Sequence, residues 1–564
     1  MASARRTDRR LAVPRAREAS SRVFISAGGG YDSAVNRPAS LRGVTAVAVV
    51  TLLVGCAGPS PTPSPSLSPT PEPTPTATPI PDVAFPLAVV TGITSLKATI
   101  SLDELGMLAS DGQLVMPCGV TLIQPNLSTT APCVAADQIV ADLKADQAHV
   151  ALLPPGLVEP ATKVLSIAGE GPFGLFGPDL FGDPESRALP YPVMGSAPGD
   201  GPGALDPAWT TYDASQTWTL TAIGSLCADR VAAYHAVTLG KGWDWPFNGG
   251  TATYTGEPFL NPNPPAGISA YPIVKAVEAG NDGVTASISK RSDVALADHK
   301  CPILTNEQWA PTQTGPPSLA VPEAVLSRWK DFLGIDAVYL AADHQSDRGV
   351  AGISTTLELL DENGFPHTGL GMNLDEALDP AYVEVAGLKV AFVSWNEVTG
   401  PTHAGPTTPG VAWLDEANVD TAVAKARSAG ADLVICDPQW WGGDEYHPDL
   451  WPTQQAAVVW MDAAGCDQIV GGGLHVTGGL FLRERPSGVS LVDAGPGNYM
   501  YGQPWWQETQ EGVILDMTFR GTTLVNVRFH PYVMVLSARP SLTDPEGDGR
   551  YVLERIWNAG EVEY

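Results

Sequence analysis

Positive charge is scarce in this chain: 32 Lys and Arg stand against 61 Asp and Glu, a formal net charge of -29. Residues 1–55 hold nine of the arginines and only three acids, so the remainder carries a net charge of about -35. Such a surface repels nucleic acid and anionic headgroups at long range, which excludes a nucleic-acid partner. No C-x-x-C pair is present, so none of the common zinc-binding cysteine patterns applies. Long apolar runs are missing too. The longest clear one, Val44–Val54, falls short of the length a membrane-spanning helix needs.

What stands around that short run reads as an address. Arg-rich sequence up to Arg42 precedes it and Gly55-Cys56 follows it, the order of a secretion signal. Leu53-Val54-Gly55-Cys56 resembles the bacterial lipobox, in which the cysteine is lipidated and becomes the first residue of the mature protein. Residues 1–56 are therefore expected to be a lipoprotein signal ending at a lipidated Cys56. That predicts a chain held on the extracytoplasmic face of the cell membrane by its acyl chains. Residues 57–84 are dense in Pro, Ser and Thr; alternating proline blocks helix and sheet and makes a semi-rigid extended tether.

Once Cys56 is set aside, six cysteines remain: Cys118, Cys133, Cys227, Cys301, Cys436 and Cys466. In an oxidising compartment Cys118–Cys133 is the easiest pair, closing a short loop. The other connectivities stay open, and buried free thiols are an equal alternative for Cys436 and Cys466.

A chain of 564 residues is too long for one core. Residues 85–205 show apolar runs at Leu87–Val90 and Val150–Leu153 with a helically spaced AADQIVADLK between them, a small α/β domain without a diagnostic motif. From Trp218 strands and helices alternate regularly. Expected strands are Thr219–Ile223, Ala337–Ala341, Val390–Ser394, Leu433–Cys436, Gln468–Val470, Ser490–Asp493, Val513–Met517 and Leu524–Phe529. Expected helices are Pro322–Leu333, Ile353–Asn363, Asn418–Ala429 and Thr453–Ala464, with Gly364 and Gly430 placed as C-terminal caps. This is a layered α/β domain over 218–535, with a tail or helix over 536–564 and ligands expected where strand carboxyl ends meet loops.

Six motifs in order give the large domain a family likeness. Leu220 to Arg230 (LTAIGSLCADR) resembles "ltfvGDimlgR", and Gly334 to Gly349 (GIDAVYLAADHQSDRG) resembles "aGfDvvslANNHalDyG". A helix ending LLDENG at Gly364, then GLGMNLDEAL and VAGLKVAFVS, continue the pattern. Gln439-Trp440-Trp441-Gly442 with Glu445-Tyr446 resembles "HWGxEY"; Ile469 to Val476 (IVGGGLHV) resembles "viGHHPHv"; Gly497-Asn498-Tyr499 resembles the "slGNF" turn. The region is similar to the CapA family of capsule (poly-γ-glutamate) synthesis proteins. The resemblance implies the fold of calcineurin-like metallophosphatases, in which side chains at strand ends bind two metals that generate a hydroxide nucleophile.

Matched position by position, the metal set is eroded. Ser225 replaces the first aspartate, Ser287 and Ser289 correspond to the "NLE" asparagine and glutamate, Gln439 replaces a histidine, and Gly472 and Gly473 replace two more. Asp343, His344, Asp347 and His475 survive as catalytic candidates. These substitutions predict no cofactor, or at most one divalent metal on Asp343, His344 and His475. Trp440, Trp441, Trp505 and Trp506, with Ser225, Ser287, Gln439 and Asn498, are the cleft candidates, and flat indole faces suit stacking on sugars or polymer chains. Three functions follow. One is a CapA-type component of capsule or envelope-polymer synthesis beside membrane proteins, with little or no hydrolysis. The second is a hydrolase with a reduced metal site, and the third a non-enzymatic polymer- or glycan-binding lipoprotein.

Overall fold

The computed structural model describes residues 80–123, 127–167, 193–201, 203–211, 213–259, 273–280, 282–311, 318–441, 443–485 and 488–560. The expected signal, the lipidation site Cys56 and nearly all of the tether lie outside these residues, as do residues 561–564 of the tail. No described helix is long and apolar enough to cross a membrane.

Two sheets lie face to face between outer layers of helix. The larger runs, from its edge, Ile273–Gly280, Thr251–Phe259, Arg539–Leu542, Thr523–Val535, Glu511–Arg520, Thr217–Leu226, Val294–His299, Ala337–Tyr339 and His367–Thr368. The smaller runs Ala381–Val385, Leu388–Asn396, Leu433–Gln439, Gln468–Val470, Gly488–Asp493 and Leu480–Arg485. Their inner faces share one apolar core, in which Trp218 stacks on Phe519 at 4.5 Å and Tyr339 meets Phe392 edge-on at 6.2 Å across the sheets. Helices Val284–Arg291 and Gly349–Asn363 cover the outer face of the first sheet, and Glu416–Ser428 and Pro452–Ala464 that of the second. Strands buried on both faces need near-continuous apolar sequence, and Val390–Val393 and Leu433–Cys436 supply it.

Every expected strand and helix of the large domain has an observed counterpart, with shifted ends. The helix expected from Pro322 starts at Ala324, because Val321–Pro322 pairs as a short strand with Ile303–Leu304, and it ends in a wide π-helical turn, Trp329–Leu333. Gly364 and Gly430 have φ of +67° and +83°, the left-handed conformation that lets the chain leave a helix. At the other end of Glu416–Ser428, Asp415 accepts the Asn418 N–H at 2.9 Å. Asp415→Ala is expected to cost about 1 kcal/mol in denaturant unfolding, the usual worth of such a cap. The strand Arg539–Leu542 lies beyond the expected boundary at 535, yet it pairs with Thr523–Val535 as part of the large sheet.

Three disulfides, Cys118–Cys133, Cys227–Cys301 and Cys436–Cys466, join all six cysteines. The last pair is therefore a bridge rather than two buried thiols. In the small unit, Ala88–Gly92 lies between Val150–Leu153 and Thr162–Val164. It docks on the large sheet: the Val164 N–H reaches Asn526 Oδ1 at 3.0 Å, and Arg528 donates to Ser166 Oγ at 2.7 Å.

Candidate functional site: a buried lysine among carboxylates

Thr217–Leu226, Val294–His299 and Ala337–Tyr339 are parallel, as are Leu388–Asn396, Leu433–Gln439, Gln468–Val470 and Gly488–Asp493. Side chains and loops from the carboxyl ends of both sets meet in one polar cluster. Its centre is Lys300, 0% exposed, immediately after the strand Val294–His299. The Lys300 ammonium donates to Gln439 Oε1 at 2.6 Å and lies 3.9 Å from Asp298 Oδ2 and 3.8 Å from Asp343 Oδ1. Burial opposes this charge, but Asp298 and Asp343, then Glu445 and Asp437, hold the ammonium above its ordinary pKa.

The surrounding groups are tied to one another. Ser225 Oγ donates to Asp298 Oδ2 at 3.2 Å. Gln439 donates through Nε2 to both Asp437 oxygens, at 3.0 and 3.1 Å, and Ser394 Oγ donates to Asp437 Oδ2 at 2.7 Å. Burial, reinforced by Asp298, pushes the Asp437 carboxyl well above its ordinary value. Gly472 lies against this network: a Cβ there would stand 2.4 Å from Gln439 Nε2 and 2.7 Å from Asp298 Oδ2. The space a ligand side chain would need is already filled.

His475 is 2% exposed and takes φ +57°, a conformation rare for any residue with a side chain. The acceptor Asn498 Oδ1, 2.8 Å from Nδ1, assigns the imidazole proton to Nδ1, because Asn498 Nδ2 donates to Gln503 Oε1 and to the Thr509 carbonyl. Nε2 faces Glu445 Oε2 at 3.6 Å, beyond hydrogen-bond distance. Burial, with Lys300 adding to it, pushes His475 down to about 3, so the ring is neutral at physiological pH. Glu445 is pushed up to about 7 by burial and by Asp343.

His344 sits nearer the mouth. Its Nδ1 lies 2.8 Å from Asp347 Oδ2, which also accepts the Leu319 N–H at 2.7 Å, and its Nε2 lies 3.2 Å from Asp343 Oδ2. Burial alone would lower its pKa, but Asp343 and Asp347 raise it above the ordinary imidazole value. Asp347→Asn is expected to lower the His344 pKa, read from its ring-proton shifts by NMR. An unchanged titration would show that the pairing is not what raises the ring's pKa. Arg230, also at positive φ (+48°), holds its guanidinium 5.0 Å from the centre of the Tyr501 ring, which stacks on His475 at 4.8 Å.

Of the residues expected from sequence, Ser225, Asp343, His344, Asp347, Gln439, His475 and Asn498 come together here. Ser287 and Ser289 do not. They lie on the helix Val284–Arg291 with hydroxyls bonded to the Val284 and Ala286 carbonyls, and Asp298 and Lys300 enter the cluster instead. Their correspondence with the family's asparagine and glutamate is therefore wrong. Trp440 is also corrected: it is 0% exposed in the core behind Leu433–Gln439, where it offers no stacking face. Trp505 is 8% exposed, whereas Trp441 and Trp506 are half-buried, with Trp506 at 4.8 Å from Tyr446. Sequence reasoning missed Asp298, Lys300 and Asp437, and read Glu445 as part of a motif without placing it in the site. The only available signal for Lys300 was a lysine directly after a wholly buried strand.

A pair of divalent ions does not fit these residues. Metals need several anionic or imidazole donors converging on one point, and here a serine, an amide and two glycines stand in donor positions beside a fixed ammonium. Among the described residues no group of three or more His, Cys, Asp and Glu is placed to hold a metal ion. His344 and Asp343 bond each other, and His475 spends Nδ1 on Asn498.

Two sheets packed face to face, flanked by helices, with a polar cluster at the parallel strand ends, define a metallophosphatase-like α/β sandwich. Residues 277–486 match the family described as "Bacterial capsule synthesis protein PGA_cap". Solved structures similar to it include the NAD nucleotidase NadN of Haemophilus influenzae (13% identity, 56% of this chain and 50% of that one, TM-score 0.31). Others are a 5'-nucleotidase precursor from Thermus thermophilus (16%, 60% and 57%, TM-score 0.31) and the calcineurin-like phosphoesterase YfkN from Bacillus subtilis (12%, 60% and 98%, TM-score 0.28). The chain spans about half the length of the first two. No curated protein matches it.

Proposed function

We propose that this protein is a lipid-anchored, extracytoplasmic component of capsule or envelope-polymer synthesis whose phosphatase-type cleft no longer hydrolyses. The observation that carries this reading is Lys300, whose buried ammonium sits among Asp298, Asp343 and Gln439 where hydrolysis would require metal. Arg230 places a guanidinium over Tyr501 beside this cluster, a group that suits contact with an acidic polymer. Membrane proteins of the synthesis machinery are its expected partners.

The test is complementation. Cells lacking the protein are expected to lose surface polymer and to regain it with the wild-type chain and equally with Asp343→Asn/His344→Gln. Failure of that variant, at normal protein levels, would mean that the surviving polar residues perform chemistry. A second reading, a polymer- or glycan-binding protein, is favoured by Tyr446 and Trp506 grouped beside Trp505. It expects tryptophan fluorescence to be quenched by purified envelope polymer, with or without chelator.

A further inference from the structure

Away from the cleft, the small unit, the large sheet and the C-terminal helix Arg550–Ala559 enclose a cavity of about 330 Å³. That volume lies within the range of small-molecule sites. Ile93, Phe529, Leu542 and Leu553 give it apolar walls, and each is at most 8% exposed. Three basic side chains line it as well: Lys163, Arg528 and His530, 7%, 5% and 7% exposed. The acidic lining residues, Asp544 and Glu546, are exposed. Basic side chains thus lie inside and carboxylates at the solvent edge. This is unexpected in a chain with so few basic residues.

Asp516 lies 3.6 Å from His530 Nε2 and supports the Arg528 charge. Lys163 has a neutral acceptor, the Ser95 carbonyl, for its ammonium. Burying an ammonium without an anion is costly. Burial followed by Arg528 pushes Lys163 down to about 7, with Glu546 at the solvent edge offsetting only part of this. A negative charge beside Lys163 would offset that burial and stabilise its ammonium.

We propose that this cavity binds a small carboxylic acid with an apolar body, its carboxylate against Lys163 and Arg528 and its hydrocarbon among Ile93, Phe529, Leu542 and Leu553. Two buried basic side chains at one end of an apolar cavity suit a carboxylate, because charge-assisted hydrogen bonds in a buried site favour it over a neutral group. None of these residues belongs to the cleft, so the proposal stands apart from the capsule reading.

The test is calorimetric titration of the full chain with 4-phenylbutyrate and with the neutral 4-phenylbutan-1-ol. The acid is expected to bind at least about tenfold tighter than the alcohol, with Lys163→Met erasing the difference and Lys163→Arg retaining it. Equal affinity for acid and alcohol, or no binding of either at millimolar concentration, would overturn the proposal. So would an acid preference that persists in a folded Lys163→Met. Should that variant fail to fold, the acid–alcohol comparison on the wild-type chain decides alone.

Discussion

Lys300→Met is expected to destabilise the fold by about 3–5 kcal/mol in denaturant unfolding at pH 7, the usual cost of removing one partner from a buried ion group. The methionine fills most of the volume, so the loss is electrostatic: Asp298 and Asp343 are left buried without their cation, and Gln439 Oε1 without its donor. The same reasoning predicts a rescue. Adding Asp298→Asn and Asp343→Asn to Lys300→Met removes the stranded charges and should recover more than half of the loss. If Lys300→Met costs under about 1 kcal/mol, the ammonium is not the charge that holds these carboxylates.

Asp493→Asn should act in the opposite direction. This carboxyl is 0% exposed at the end of Gly488–Asp493, and burial pushes it up to about 8, only partly opposed by the Gly495 N–H. Unfolded, it titrates near 4, roughly the model-peptide value. Between those values the unfolded chain gives up the proton while the folded chain keeps it, so stability from this group is full below about pH 4 and declines until about pH 8. An asparagine keeps the neutral shape without that decline. The variant should match the wild type near pH 4 and exceed it at pH 8 by about 3–5 kcal/mol, at roughly 1.4 kcal/mol per pH unit. Parallel stability–pH curves for the two proteins would show that Asp493 is ionised in the native state.

Much of the fold was legible because its core strands are written in apolar runs and its helices close on glycine. Val390–Ser394, Leu433–Cys436 and the Gly364 cap need no tertiary information to be read. Val294–His299 was not legible, since all six residues are buried and the last two are Asp298 and His299, which interrupt any apolar pattern. That omission displaced the neighbouring correspondence onto Ser287 and Ser289. Lys300 was hidden for a related reason. A lysine in sequence is by default a solvated side chain, and only partners from three other elements (Asp298 aside, Asp343 and Gln439, with Glu445 further off) make its burial tolerable. The tryptophans show the converse error. Trp440 follows a strand as a cleft residue would, but its ring turns into the core against Gly471, where a Cβ would stand 2.2 Å from the indole nitrogen.

The proposed function rests on the Lys300 ammonium, rather than a divalent ion, lying against Asp298 and Asp343. Elemental analysis of the purified chain, dialysed against manganese and zinc and then washed free of excess ions, tests it directly. The account predicts less than roughly 0.1 metal per chain, and about two per chain, the complement of a working two-metal centre, would contradict it.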